Sequence, residues 1–245
     1  RCAWRRDAVG EGPAPVAVLM AGGRGQRLRP LTDKVPKPLL RLGKSSVVER
    51  IIAALPQAGI EDVYLAVNYK ADVFEERLGG GEALGVRLHY LRERMRLGTA
   101  GPLSLLGREV ASPILVMNAD IVTRLSFARL LDYHRQHGAA ATVGGVEFVS
   151  RIPYAVLRTE GTRLVGIEEK PQTPVLCNAG IYVVEPEVLP LVPPDRALDM
   201  PDLLASVMAG GMAVAVFPIV ERWFDIGSQE EFERVLLEFA TGEEE

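Results

Sequence analysis

Residues 19–40 read LMAGGRGQRLRPLTDKVPKPLL, and they decide the fold because a cationic, glycine-rich loop follows directly on an apolar strand. Val16-Ala17-Val18-Leu19-Met20 is short and continuously apolar, the pattern of a strand covered on both faces of a parallel sheet. The C-terminal end of such a strand is where α/β sheets place ligands. There Ala21, Gly22, Gly23 and Gly25 allow close main-chain approach, so that N–H groups can converge on an anion. Arg24, Arg27, Arg29, Lys34 and Lys37 add five cations within fourteen residues. The loop reads as a cradle for a triphosphate.

Two commoner phosphate loops are excluded. A dinucleotide fingerprint needs a third glycine three positions after Gly25, and Leu28 stands there. Gly43-Lys44-Ser45 resembles the end of a Walker A loop, but the glycine that loop needs five residues earlier is replaced by Pro38.

Composition narrows the class. The 245 residues are 48% apolar, enough for one large α/β core, and the net charge of −4 lacks the footprint of a nucleic-acid binder. Cys2 and Cys177 have neither zinc spacing nor the density of a disulfide framework. No run approaches the ~20 apolar residues that span a bilayer. A cytoplasmic protein without membrane or nucleic-acid partners is expected. Residues 1–15, rich in Gly and Pro, read as a linker or N-terminal extension, residues 16–240 as one domain and residues 241–245 as an acidic tail.

Apolar runs at residues 63–67, 114–117, 142–143 and 181–184 alternate with helical periodicity, which predicts a parallel-dominated sheet flanked by helices. Ser46 and Glu49 have capping-box spacing, as do Ser228 and Glu231 ahead of a C-terminal helix. Gly79-Gly80-Gly81 is expected to be a mobile loop. Residues 156–158 and 164–167 flank a hairpin turn that delivers Glu169 and Lys170. His134 and His137, three apart, could share a metal but lack acidic or cysteine partners, so a surface helix face is expected; Cys177 reads as a small buried residue.

Taken in order, the motifs resemble those of the sugar-1-phosphate nucleotidyltransferases. The chain carries Gly22-Gly23, Gly25, Arg27-Leu28, Pro30-Leu31-Thr32 and Pro36-Lys37-Pro38, then Leu97-Gly98-Thr99-Ala100-Gly101 and Asn118-Ala119-Asp120. Glu168-Glu169-Lys170-Pro171, Asn178-Ala179-Gly180-Ile181-Tyr182 and Trp223-Phe224-Asp225-Ile226-Gly227 complete the set. Ala119 and Ala155 stand where the family usually has glycine. Arg27-Leu28-Arg29-Pro30-Leu31-Thr32 and Val67-Asn68-Tyr69-Lys70 lean toward mannose-1-phosphate guanylyltransferase-like members.

The resemblance implies a Rossmann-like, mixed, mostly parallel sheet, the nucleotide-diphospho-sugar transferase fold. It also implies an enzyme that transfers a nucleotidyl group from a nucleoside triphosphate, GTP favoured, to a sugar-1-phosphate. By that resemblance Ala21, Gly22, Gly23, Gly25, Gly98 and Thr99 bind nucleotide, and Arg27, Lys37 and Lys170 are catalytic. Glu169, Lys170 and Asn178 take the sugar phosphate, and Asp120 and Asp225 hold Mg²⁺. UTP, dTTP or CTP in place of GTP, a non-catalytic nucleotide-sugar-binding subunit, and a phosphocholine substrate are the competing assignments. The last would want several aromatics for cation-π contact, and aromatics make up 6% of the chain. Some relatives carry regulatory CBS motifs upstream, so a domain before Arg1 is an expectation, and family members often associate into oligomers.

Overall fold

The computed structural model describes residues 13–107 and 110–241. Residues 1–12 and 242–245, on which most of the linker and acidic-tail expectations fall, lie outside the described residues, as does Cys2. The elements run β1 (Val16–Met20), β2 (Arg41–Leu42), β3 (Ser45–Ser46), α1 (Val47–Ala54), β4 (Asp62–Val67), α2 (Ala71–Leu78), β5 (Arg87–Arg92), β6 (Ile114–Asn118) and β7 (Ile121–Thr123). They continue as α3 (Phe127–His137), β8 (Ala141–Arg151), β9 (Val156–Glu160), β10 (Arg163–Glu168), β11 (Gln172–Val184), α4 (Met200–Ala209), β12 (Val214–Ile219), β13 (Trp223–Asp225) and α5 (Gln229–Thr241).

Seven strands form the main sheet in the order β12-β8-β11-β6-β1-β4-β5, and β11 alone runs antiparallel to its neighbours. This is the mixed, mostly parallel sheet that the sequence predicts. β1 is central: Leu19 is in register with Leu65 on one side and Met117 on the other. Its side chains alternate between two cores, Ala17 and Leu19 facing one, Val16 and Val18 the other. Helices α1, α2, α3 and α5 cover the first face and α4 the second, so both faces are buried and a continuous apolar run is what the strand requires. Each buried Val or Leu among them contributes about 1.5–3 kcal/mol by leaving water.

Helix α1 begins where its cap does. Ser46 accepts from the Glu49 N–H and the Glu49 carboxylate accepts from the Ser46 N–H at 2.5 Å, while Val48, Ile51 and Ile52 face the core. The stretch Gly79-Gly80-Gly81 is better tied than its composition predicts: the Gly81 N–H donates to the Leu78 carbonyl at 3.1 Å and the Leu88 N–H to the Gly80 carbonyl at 2.7 Å. Ala119, at a position where the family has glycine, is fully buried and its N–H donates to the Met20 carbonyl at 3.1 Å, which ties the ends of β6 and β1 together. Cys177 is half-buried rather than buried, because β11 enters the core only beyond it, from Ala179 on.

His134 corrects the expectation of a surface histidine. It is 1% exposed, because α3 lays this face on β8 and β11, where its ring nitrogens meet Thr142 Oγ1 at 2.8 Å and Glu185 Oε1 at 3.0 Å. His137, one turn on, is exposed and stacks on Tyr133. Burial pushes the His134 pKa below the ordinary 6.5, against the pull of Glu185 and with the help of Arg135. The unfolded chain therefore takes up this proton at a higher pH than the folded one, so the contribution is present above pH 6.5 and lost as pH falls below it. Urea midpoints measured from pH 7.5 to 5 should fall, and the fall should flatten in His134→Gln; equal slopes in the two proteins would contradict this.

Candidate active site

β1 and β6 are adjacent, yet the chain leaves β1 toward β4 and β5 and returns to β6 on the other side. A crevice opens at such a reversal beyond the C-terminal strand ends, and the glycine loop after β1 and the turn after β6 meet in it. Gly22 brings the loop close to Glu93: a Cβ there would lie 2.5 Å from the carboxylate oxygen Oε1, which would have to move. Gly25 has φ +59°, and the Thr32 hydroxyl donates to its carbonyl at 2.8 Å, folding the loop back on itself. Leu28, 1% exposed, anchors the turn in the core, and its neighbour Arg27 lines the cleft. The Arg27-Leu28 pair thus divides into a pointer and an anchor.

Lys37 is held the same way. It opens a single 3-10 turn between Pro36 and Pro38, with Leu39 buried beneath it. Its side chain is 11% exposed, and its ammonium donates to Asp120 Oδ2 at 2.5 Å and lies 3.8 Å from Asp225 Oδ1. Asp120 closes β6. Asp225 reaches it from far along the chain because β13 pairs antiparallel with β7, Asp225 opposite Ile121, and the Ile226 N–H donates to the Asp120 carbonyl at 3.3 Å. Burial and then the Asp120 carboxylate push the Asp225 carboxyl above the usual range; Lys37 and Arg27 pull it back, and Glu231 pushes with Asp120. Beyond β13, Glu231 accepts from the Gly227 N–H and the Ser228 hydroxyl, which fixes the start of α5 beside Arg27.

Three connected spaces surround this cluster. The largest, about 830 Å³, is lined by Gly22, Gly23, Arg24, Arg27, Lys37 and Asp120, and is large and cationic enough for a nucleoside triphosphate. A second of about 420 Å³ has Asn178, Gly180, Tyr182, Trp223 and Asp225 on its wall. Between them a cavity of about 160 Å³ is bordered by Glu93, Gly98, Thr99, Asn118, Asp120 and Asp199. The Lys37 cluster stands where the first two spaces approach each other. Among the described residues no group of three or more His, Cys, Asp and Glu side chains is placed to hold a metal. Two carboxylates sharing one cation are nonetheless a fitting donor set for Mg²⁺, which takes one or two carboxylates together with phosphate oxygens.

Asn178 reaches the second space through a bulge. Pairing of β11 with β8 shifts between Asn178 and Tyr182, Gly180 has φ +69°, and a Cβ there would lie 2.7 Å from Asn118 Nδ2. Glu169 and Lys170, by contrast, are exposed where the β9–β10 hairpin rejoins β11, and neither is among the residues lining the three spaces. Gly98 and Thr99 line the middle cavity, with Gly98 at φ +81° and its absent Cβ 2.5 Å from the Leu198 carbonyl oxygen. Gly98→Ala should therefore cost about 1–3 kcal/mol in strain, read as a lower thermal midpoint together with a raised KM for nucleotide. An unchanged midpoint would contradict this placement.

Glu93, Arg96, Tyr182 and Asp199 also line these spaces and were not picked out as site residues from the sequence. Glu93 and Arg96 follow β5, whose alternating edge pattern hides it as a strand; recognising that strand would have placed them at the ligand end of the sheet.

The model of the nucleotidyl transferase family matches residues 16–241. A mannose-1-phosphate guanylyltransferase catalytic subunit beta of Dictyostelium discoideum is 34% identical over 224 residues, 88% of this chain and 62% of that protein. A mannose-1-phosphate guanylyltransferase of Mycobacterium tuberculosis is 33% identical over 235 residues, 92% of this chain and 65% of that protein. The chain thus spans less than two thirds of these relatives' own length. Among solved structures, HddC from Yersinia pseudotuberculosis superposes with a TM-score of 0.71 at 22% identity, over 93% of this chain and 100% of that one, a likeness of fold.

Proposed function

The chain belongs to the nucleotidyl transferase family, and from that membership we propose that it transfers a guanylyl group from GTP to a hexose-1-phosphate such as mannose-1-phosphate, releasing pyrophosphate. The observation that carries the reading is the Asp120–Lys37–Asp225 cluster at the approach of a triphosphate-sized cleft to a smaller polar one. An oxygen of the sugar-1-phosphate forms a bond to the α-phosphorus while the bond from that phosphorus to the bridging oxygen of pyrophosphate breaks. The nucleophile is already an anion, so no general base is needed, and the site's task is to bring two polyanions into line and neutralise charge.

Arg24 and Arg27 face the triphosphate, and Lys37 the α-phosphate. Asp120 and Asp225 are the residues that would hold Mg²⁺. When bound, that ion supplies Lewis-acid stabilisation of the phosphate charge. Asn178 offers its amide to sugar hydroxyls. Glu169 and Lys170 contribute to the sugar phosphate site only if the hairpin that carries them swings over the second cleft.

Two observations favour guanine. The curated relatives named above are guanylyltransferases. Glu93, beside Gly22, accepts from the Leu97 N–H through Oε2 at 2.8 Å, and its Oε1 faces the loop; a carboxylate accepts from the adjacent N1–H and N2–H₂ donors that guanine presents. Among the described residues no helix is long and apolar enough to cross a membrane. A cytoplasmic location, where nucleoside triphosphates and sugar phosphates are held, is part of this proposal. Pyrophosphate release measured with GTP, ATP, UTP, CTP and dTTP, each crossed with mannose-, glucose- and glucosamine-1-phosphate, should be fastest with GTP and one hexose. Silence across all pairs, with a nucleotide sugar still bound, would make the chain a binding subunit.

A further inference from the structure

The loop after Leu97 is fastened to the start of α4 by backbone and side-chain hydrogen bonds. The Leu198 N–H donates to the Leu97 carbonyl, and the Leu198 carbonyl accepts from Ala100 and Gly101 at 2.9 and 3.0 Å. Asp199 Oδ1 accepts from the Thr99 N–H at 2.9 Å and the Thr99 hydroxyl at 3.2 Å, and that hydroxyl accepts in turn from the Met200 N–H at 2.9 Å. All of this uses one carboxylate oxygen. The other, Oδ2, has no hydrogen-bond partner among the described residues, and Asp199 is exposed.

The residue does not face bulk solvent alone. Asp199 borders both the middle cavity and the 420 Å³ cleft, where Asp225 is the other carboxylate. Asp225 lies 3.8 Å from the Lys37 ammonium, which leaves Asp199 as the carboxylate of that cleft not engaged with a cation. Its charge is felt at Tyr182, on the same wall: burial first, then Asp199, hold that hydroxyl protonated, against a hydrogen bond from Asn178. A carboxylate only accepts, so its complement is a hydroxyl or ammonium hydrogen. The same charge repels phosphate, while Arg96 on the cleft wall and Lys37 beside Asp225 attract it, so an incoming sugar phosphate turns its ring toward Asp199 and its anion toward these cations.

We propose that Asp199 is a specificity-determining residue that binds the sugar ring: Oδ1 holds the Gly98-Thr99 loop, and Oδ2 accepts a hydrogen bond from one ring hydroxyl, or amine, of the sugar-1-phosphate. This rests on the assignment of the 420 Å³ cleft to the sugar phosphate. The residue joins the two substrate sites, since the oxygens of one carboxylate serve the nucleotide loop and the sugar.

The test is Asp199→Asn, which keeps an Oδ1 acceptor for Thr99, examined with each substrate varied at saturation of the other, alongside a thermal melt. The expected result is a KM for the sugar-1-phosphate raised about 10- to 100-fold, the range of a hydrogen bond to a charged group, with the KM for GTP and the melt unchanged. With the monodeoxy sugar-1-phosphate that lacks the contacted hydroxyl, wild type and variant should become equal in kcat/KM, which a merely structural role would not produce. A variant that shifts only the KM for GTP, or whose defect persists with every deoxy analogue, would overturn the proposal while leaving the enzyme assignment intact. Saturation-transfer NMR with the sugar phosphate separates the other case: a wild type that neither turns over nor binds it overturns the cleft assignment and this proposal with it.

Discussion

Asp120→Asn should lower the rate of pyrophosphate release by about 1000-fold or more, corresponding to the several kcal/mol a Lewis-acid cation contributes to charge stabilisation. The substitution keeps the shape of the side chain and removes its charge. It leaves in place the backbone bond that ties the site, from the Ile226 N–H to the Asp120 carbonyl, so the fold should persist. The Lys37 ammonium would then be left to Asp225 alone, 3.8 Å away. Single-turnover rates together with a thermal melt are the check. A folded variant within fivefold of wild type would remove Asp120 from the chemistry.

Lys37→Met should lower kcat by about 100- to 1000-fold, the range for losing one preorganised charge stabiliser. The methionine retains the apolar stem, so Leu39 and the 3-10 turn keep their packing. A second effect has the opposite direction. Without nucleotide, Lys37 is the internal counter-ion of Asp120 and Asp225; with it gone, two carboxylates face each other without that cation. The nucleotide-free variant should therefore bind Mn²⁺ more tightly than wild type while turning over more slowly. A variant that loses rate and also binds the ion more weakly would mean that Lys37 supports the ion's site rather than competing for it.

Much of this was legible in the sequence, for reasons that differ by element. β1, β4 and β6 announce themselves because both faces are covered, which leaves no polar alternation to confuse with a helix. The edge strands β5 and β12 escape for different reasons: Arg87, His89 and Arg92 break up the apolar run of β5, and Pro218 interrupts that of β12. Of the candidate site, the glycine loop, Lys37, Asp120 and Asp225 come together as their motifs imply. Composition alone could not have paired Asp120 with Asp225; that contact depends on β13 adding to β7. His134 was misread because the helix carries charged neighbours, Arg135 and Asp132, that pair with each other on its outer face and hide a polar residue turned inward. Asp199 carries no motif of its own, and its meaning lies in the bonds it makes to Thr99, one hundred residues earlier.

Asp120 and Asp225, brought together by β7 and β13, are assigned as one metal-holding centre between the substrates. Electron paramagnetic resonance of Mn²⁺·GTP, titrated with wild type, Asp120→Asn and Asp225→Asn, probes that assignment. Wild type should broaden the Mn²⁺ signal at low protein concentration, and each variant should weaken this severalfold or more while still binding GTP through Arg24, Arg27 and the glycine loop. Equal Mn²⁺·GTP binding by all three proteins would contradict it.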